Sequence, residues 1–190
     1  MPLSLPNLLT WLRVCAIPLL VALYVPNAGL GLSTRDAIAS LLFAGAAITD
    51  WFDGWLARRL GQTSAFGAFL DPVADKLIVC AALVVLLQLD RVGALVALVI
   101  IGREIAISAL REWMASIGAR TNVAVHSLGK FKTAAQLVAI PMLLWGGTLA
   151  GIDCLRVGTW LIHVAAVLTV WSMLYYLKRA WPFLRDGMRT

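Results

Sequence analysis

Long uncharged runs alternate with short charged clusters along this chain, and the lengths of the runs predict its elements. Arg13 and Arg35 bracket 21 uncharged residues, residues 133–152 form an uncharged run of 20, and residues 157–177 form one of 21 that includes His163. At 1.5 Å per residue, each can cross a hydrocarbon core of ~30 Å as a helix. Two runs are shorter, with 13 residues each at 37–49 and 77–89. The charges flanking them therefore sit at or inside a membrane interface. A helix over about 92–114 is interrupted by Arg103 and Glu104 and carries Arg111 and Glu112 near its end, so it is expected to face protein, not lipid. Pro2, Pro6 and Asn7 precede the first run and predict a short interfacial segment, with Asn7 placed to cap the first helix. Pro26, Asn27 and Gly29 close the first span, residues 61–64 form a turn, and Asp90, Arg91 and Gly93 mark the opposite turn. Residues 115–132 read as a polar connection, and Pro141 as a kink in the fifth span. The expected fold is an all-α integral membrane protein, one domain over residues 1–190, with six transmembrane helices after the N-terminal interfacial segment.

Composition changes this picture little. The 190 residues are 61% hydrophobic and only 14% charged, with a mean hydropathy of +0.87, outside the range of soluble domains. The formal net charge is +6, but the basic residues cluster at helix ends, where anionic lipid is the fitting partner and nucleic acid is not. Cys15, Cys80 and Cys154 lie far apart inside apolar runs and read as packing residues, not as a disulfide or metal site. The N-terminus lacks a basic segment before its apolar run, so the first helix is expected to be retained. Arg35, Arg91 and Arg156 are the only basic residues assigned to one side, against thirteen on the other. By the positive-inside rule both termini are cytoplasmic.

The chemistry lies where helices two and three approach the 61–64 turn. Asp50 and Asp53 are i,i+3 neighbours, and Asp71 and Asp75 are i,i+4 neighbours, so each pair shares one helix face. Carboxylates at membrane depth are costly and point to function. As hard oxygen donors they suit Mg²⁺ together with substrate phosphates. Gly54, Ala57 and Gly67 leave room for a ligand to approach, and Arg58 sits one turn beyond Gly54, placed for a phosphate. The plain alternative is a set of ion pairs with Arg58, Arg59 and Lys76. Asp50, Asp53, Gly54, Ala57, Arg58, Gly67, Asp71 and Asp75 together resemble, position by position, the signature of the CDP-alcohol phosphotransferase family.

That resemblance implies a donor, CDP-diacylglycerol, whose tails stay in lipid while its diphosphate reaches two ions of Mg²⁺ or Mn²⁺. It implies Asp50, Asp53, Asp71 and Asp75 as metal ligands, with Asp75 also the general base for the acceptor hydroxyl. Asn7, Thr10, Gly54, Arg58 and Ser64 are implied on the donor side, with Arg13 beside them; for Asn7 and Thr10, helix capping is an equal alternative. Residues 103–115 and 127–136, with the N-terminal LPNLLTWLRVCAIP, resemble the bacterial branch of the family whose acceptor is glycerol 3-phosphate. Arg103, Arg111, Lys130 and Lys132 are the candidate acceptor-phosphate residues, expected as a basic pocket opposite the acids. The same orientation that puts both termini in the cytoplasm places the acids on the cytoplasmic side of a bacterial inner membrane, and the resemblance further implies a homodimer. Sibling enzymes that make cardiolipin, phosphatidylserine or phosphatidylinositol phosphate stay open as alternatives, as does an ion-coupled transporter.

Overall fold

The computed structural model describes the backbone of residues 5–26, 29–60, 65–116 and 127–187, and the side chains of residues 10–26, 29–50, 69–110, 112–116, 131–178 and 181. Six helices carry the fold: α1 (Leu5–Ala22), α2 (Leu32–Leu60), α3 (Ala65–Gln88), α4 (Ala94–Ser116), α5 (Ser127–Trp145) and α6 (Cys154–Gly187). Between α5 and α6 lies a small antiparallel hairpin of β1 (Thr148–Leu149) and β2 (Ile152–Asp153), with Thr148 opposite Asp153. Ala150 and Gly151 form its two-residue turn at φ 50° and 81°, the pair of positive values that matches the twist of a tight hairpin.

Several boundaries differ from those expected. The N-terminal interfacial segment is not set apart, because α1 runs unbroken from Leu5; Pro6 falls in its first turn, where a missing N–H is no loss. Helix α2 starts at Leu32, before Asp36, with the N–H groups of Thr34 and Arg35 both bonding the Gly31 carbonyl at 3.1 Å. Lys130 and Lys132 belong to α5, not to a polar connection, where Gly129 is the one strong helix-opposing residue between Ser127 and Lys132. Helix α5 passes through Pro141 and stops at Trp145, where Gly146 takes φ 69° as a left-handed cap. At the end of α3, Asp90 takes φ 55°, the Arg91 N–H reaches the Leu86 carbonyl at 2.9 Å and the Asp90 N–H the Leu87 carbonyl at 3.1 Å, the two bonds of a Schellman cap.

Around the bundle, α1 packs on α2 and α3, α2 on α5, α5 on α6, α6 on α4, and α4 on α3, with α3 also touching α5. Helices α2 and α3 touch each other far less than either touches α1. The expected acid hairpin is therefore not closed on itself among the described residues: α1 lies against both of its arms. The core draws Leu20, Phe43, Leu83, Ile100, Leu143 and Ile162 from all six helices. The closest pairing is α5 with α6, where a Cβ on Gly158 would meet the Leu143 side chain at 2.8 Å and the Ala139 carbonyl at 3.2 Å; only a small residue allows such an approach.

The outer surface is strongly apolar, with Leu41, Leu95, Leu98, Val167 and Trp171 all exposed, as suits a lipid surrounding. Helix α4 does not face protein alone: Arg103 and Ile107 are buried while Leu95, Leu98 and Ile105 point outward. Its mid-helix charges, Arg103 and Glu104, lie on the inner face, whereas Glu112 near its end is exposed. Cys154 is buried, Cys80 half-buried and Cys15 exposed, all as free thiols, so Cys15 is not a core residue. Among the described residues one helical stretch, Cys154–Lys178, is long and apolar enough to cross a membrane, and the apolar stretches Thr10–Ala22 and Phe131–Trp145 are shorter.

A polar staple fastens the end of the bundle away from the acids. Arg91 bonds Asp36 at 2.5 Å and the carbonyls of Leu144 and Leu143 at 2.8 and 3.1 Å, and Tyr24 donates to Asp36 at 2.8 Å. One guanidinium thereby joins the start of α2, the α3–α4 turn and the last carbonyls of α5, and Tyr24 adds the end of α1. Removing one partner of a buried ion pair strands the other. Asp36→Ala and Arg91→Ala are each expected to lower stability by about 3–5 kcal/mol, and the double variant by less than the sum. Unfolding of the detergent-solubilised variants measures this; strict additivity would show the pair to be uncoupled.

Candidate active site

One face of α1 assembles the site. Thr10 and Arg13 are three residues apart and so share that face; they are 1% and 2% exposed in a helix whose residues from Val14 onward are apolar. The Thr10 hydroxyl donates to Asp71 at 2.5 Å. Arg13 donates through the same Nη1 to Asp50 of α2, at 2.9 Å, and to Asp75 of α3. The acidic ends of α2 and α3 are thus joined through α1, by a cation that the apolar interior admits only with counter-charges. The Asp50 and Asp75 side chains remain 46% and 42% exposed.

These carboxylates open on a cavity of about 290 Å³, lined by Arg13, Asp50, Asp75, Lys76, Glu104 and Gln136 among others. Across from the acids, Glu104 of α4 accepts from Lys132 of α5 and, at 3.3 Å, from Arg103. Lys132 is 2% exposed. Arg103 also donates to Ser172 of α6 at 3.2 Å and lies 6.0 Å from the centre of the Tyr176 ring, within cation–π range.

Of the sequence candidates, the structure brings together Thr10, Asp50, Asp71 and Asp75, and places Arg103 and Lys132 on a common carboxylate. The basic pocket expected opposite the acids is neutralised in part by Glu104, which the sequence marked only as an interruption of α4. Asn7 lies in α1, Asp53, Gly54 and Arg58 in α2, Arg111 in α4 and Lys130 in α5; their side chains, and Ser64 altogether, fall outside the described residues. Sequence reasoning also missed the role of Arg13 as the link between the acid pairs. The available signal was its position three residues after Thr10 in an apolar helix, which makes it an interior charge needing acids.

Whether a divalent cation fits can be judged from these donors. Among the described residues no three His, Cys, Asp or Glu side chains are grouped closely enough to hold an ion, and Asp53 lies outside them. The chemistry nevertheless suits one. Asp50 and Asp75 already share a single positive group, Arg13, the donors are hard carboxylate oxygens, and the cavity beside them has room for phosphate.

Comparison with known proteins accords with this arrangement. A protein from Salmonella choleraesuis (strain SC-B67) named CDP-diacylglycerol–glycerol-3-phosphate 3-phosphatidyltransferase is 50% identical over 189 residues, covering 98% of this chain and 100% of the relative. Proteins of the same name from Shigella flexneri serotype 5b (strain 8401) and Escherichia coli (strain K12) are each 48% identical over 188 residues, with the same coverage. Residues 3–171 match the family described as CDP-alcohol phosphatidyltransferase, and with nearly nine-tenths of its length and its clustered acids inside that match, the chain belongs to this family.

Proposed function

We propose that this chain transfers the phosphatidyl group of CDP-diacylglycerol to glycerol 3-phosphate, giving phosphatidylglycerophosphate and CMP in phospholipid biosynthesis. The observation that carries the reading is the junction of Asp50, Asp71 and Asp75 by Thr10 and Arg13 beside a cavity of about 290 Å³. The names of near full-length relatives supply the two substrates. In this reading the chain crosses the bacterial inner membrane six times, its site faces the cytoplasm, and two copies form a homodimer, as the family resemblance implies.

Asp50, Asp53, Asp71 and Asp75 would hold two ions of Mg²⁺ or Mn²⁺, which when bound neutralise the donor's diphosphate and polarise its phosphoryl oxygens. The protein's own part is positional. Thr10 and Arg13 fix the acids of two helices against each other, so little reorganisation is needed when the diphosphate arrives. The acceptor oxygen forms a bond to the lipid-side phosphorus as the bond from that phosphorus to the CMP oxygen breaks, and CMP leaves with the electron pair. Asp75 takes the proton of the acceptor hydroxyl as the new bond forms. Lys132 and Arg103, with Arg111 and Lys130, supply positive charge for the acceptor's phosphate. Asn7, Gly54, Arg58 and Ser64 complete the donor side.

The direct test is CMP release by purified protein given CDP-diacylglycerol, Mg²⁺ and a panel of acceptors: glycerol 3-phosphate, serine, inositol phosphate and phosphatidylglycerol. Metal-dependent release with glycerol 3-phosphate alone is expected. Preference for another acceptor would assign the chain to a sibling activity, and no release with any of them would point away from transfer altogether.

The double role of Asp75 can be separated from pure metal binding. Asp75→Asn keeps an oxygen ligand but cannot accept a proton, so single-turnover CMP release is expected to slow roughly 10²- to 10⁴-fold while metal-dependent donor binding survives. Asp53→Asn is expected to lose donor binding. Equal loss of binding in the two variants would make Asp75 chiefly a ligand and leave the base to be sought elsewhere.

A further inference from the structure

Gln136 and Thr133 are the neutral polar residues on the wall of the cavity, and the Gln136 amide is the one with a buried, unpartnered donor. It is 5% exposed, and its Nε2 has no hydrogen-bond partner among the described residues. A buried amide donor without a partner is costly and uncommon, and this one lines the same cavity as Asp50, Asp75 and Glu104. Of the charged groups around it, Arg13 is engaged with Asp50 and Asp75, and Glu104 with Lys132; Lys76 also lines the cavity.

Gln136 comes four residues after Lys132 in α5, so the two share a helix face, and both are buried on it. Residues so spaced have Cβ atoms about 5–6 Å apart, close to the reach of a three-carbon phosphate ester from its phosphate to its hydroxyls. A cation is suited to the phosphate of such a molecule. An amide N–H is suited to an uncharged oxygen, and Asp75 is occupied with the hydroxyl that reacts.

We infer that Gln136 is a specificity-determining residue whose amide donates to the acceptor's non-reacting hydroxyl, the one on the central carbon of glycerol 3-phosphate. The assignment rests on the transfer reaction proposed above and adds to it a reader for the polyol. A site that hydrogen-bonds a substrate hydroxyl discriminates strongly against the analogue lacking it, because the site's own polar group is then left unpaired. The discriminating acceptor is therefore 3-hydroxypropyl phosphate, which keeps the phosphate and the reacting hydroxyl and lacks the central one.

The experiment compares kcat/KM for the two acceptors at saturating CDP-diacylglycerol in the wild type, in Gln136→Leu and in Gln136→Met. The wild type should prefer glycerol 3-phosphate by roughly tenfold or more, and both variants should bring that ratio to within about twofold of one, by losing activity toward glycerol 3-phosphate. The KM for CDP-diacylglycerol should not move. A residue that merely supported the fold would slow both acceptors alike and preserve the ratio, and that outcome overturns the inference. Gln136→Met, nearly isosteric, removes no observed bond and should unfold at or above the wild-type temperature, whereas a lowered unfolding temperature would mark a structural role. Failure of the transfer reading looks different, since the wild type itself would then release no CMP with glycerol 3-phosphate.

Discussion

The fold depends on one buried cation. Arg13 sits in the middle of an apolar helix at 2% exposure, and a guanidinium in such a place is tolerated only with carboxylates beside it. Those carboxylates come from different helices, Asp50 from α2 and Asp75 from α3. Satisfying the charge thus requires α1 to lie against both. Thr10, on the same face, then meets Asp71. A single face of α1 fixes how far apart the acidic ends of α2 and α3 stand, and that separation bounds what they can hold. Replacing such a buried network by apolar residues need not destabilise a protein, but deleting one member strands the others.

Ion pairs recur at the far end of the bundle with the same chemistry and the opposite exposure. The Asp36 side chain is 6% exposed and bonded to both Arg91 and Tyr24, whereas Asp50 and Asp75 remain open by nearly half. The closed carboxylate joins the start of α2 to the end of α1 and the α3–α4 turn, and leaves little room for a ligand. The open ones border a cavity and retain faces toward it. Exposure, more than residue type, separates the structural acid from those suited to chemistry.

The lengths of the uncharged runs made six helices legible in the sequence, and the i,i+3 and i,i+4 spacing made the acid pairs legible as helix faces. The boundaries were less so. A charged residue reads as the end of a span, yet α5 begins at Ser127 and carries Lys132 inward, because a buried lysine with a carboxylate partner interrupts nothing. The same rule hid Glu104, whose partner stands 28 residues later. Arg13 reads as the edge of a span and is instead an interior residue. Local spacing reveals which residues share a face of one helix, but which face meets which depends on the order of helices around the bundle. That order places α1 in contact with both acid-bearing helices, and only the packing displays it.

Two groups of helices meet at the cavity and bring different chemistry to it. Helices α1, α2 and α3 line it with Asp50 and Asp75 against Arg13 and Lys76, and α4 and α5 line it with Glu104, which is bonded to Lys132 and Arg103, and with Gln136. In the proposed reaction a diphosphate would meet the carboxylates of the first group through added cations. A small phosphorylated alcohol can meet the second by taking Lys132 from Glu104, an exchange of one anion for another around the same ammonium. In the proposed reaction that exchange would leave Glu104 bordering the cavity, its charge still partly held by Arg103 at 3.3 Å. In that reaction Glu104 would hold Lys132 in place before the acceptor arrives, and Arg103, braced by Ser172 and Tyr176, would keep Glu104 from being stranded afterwards.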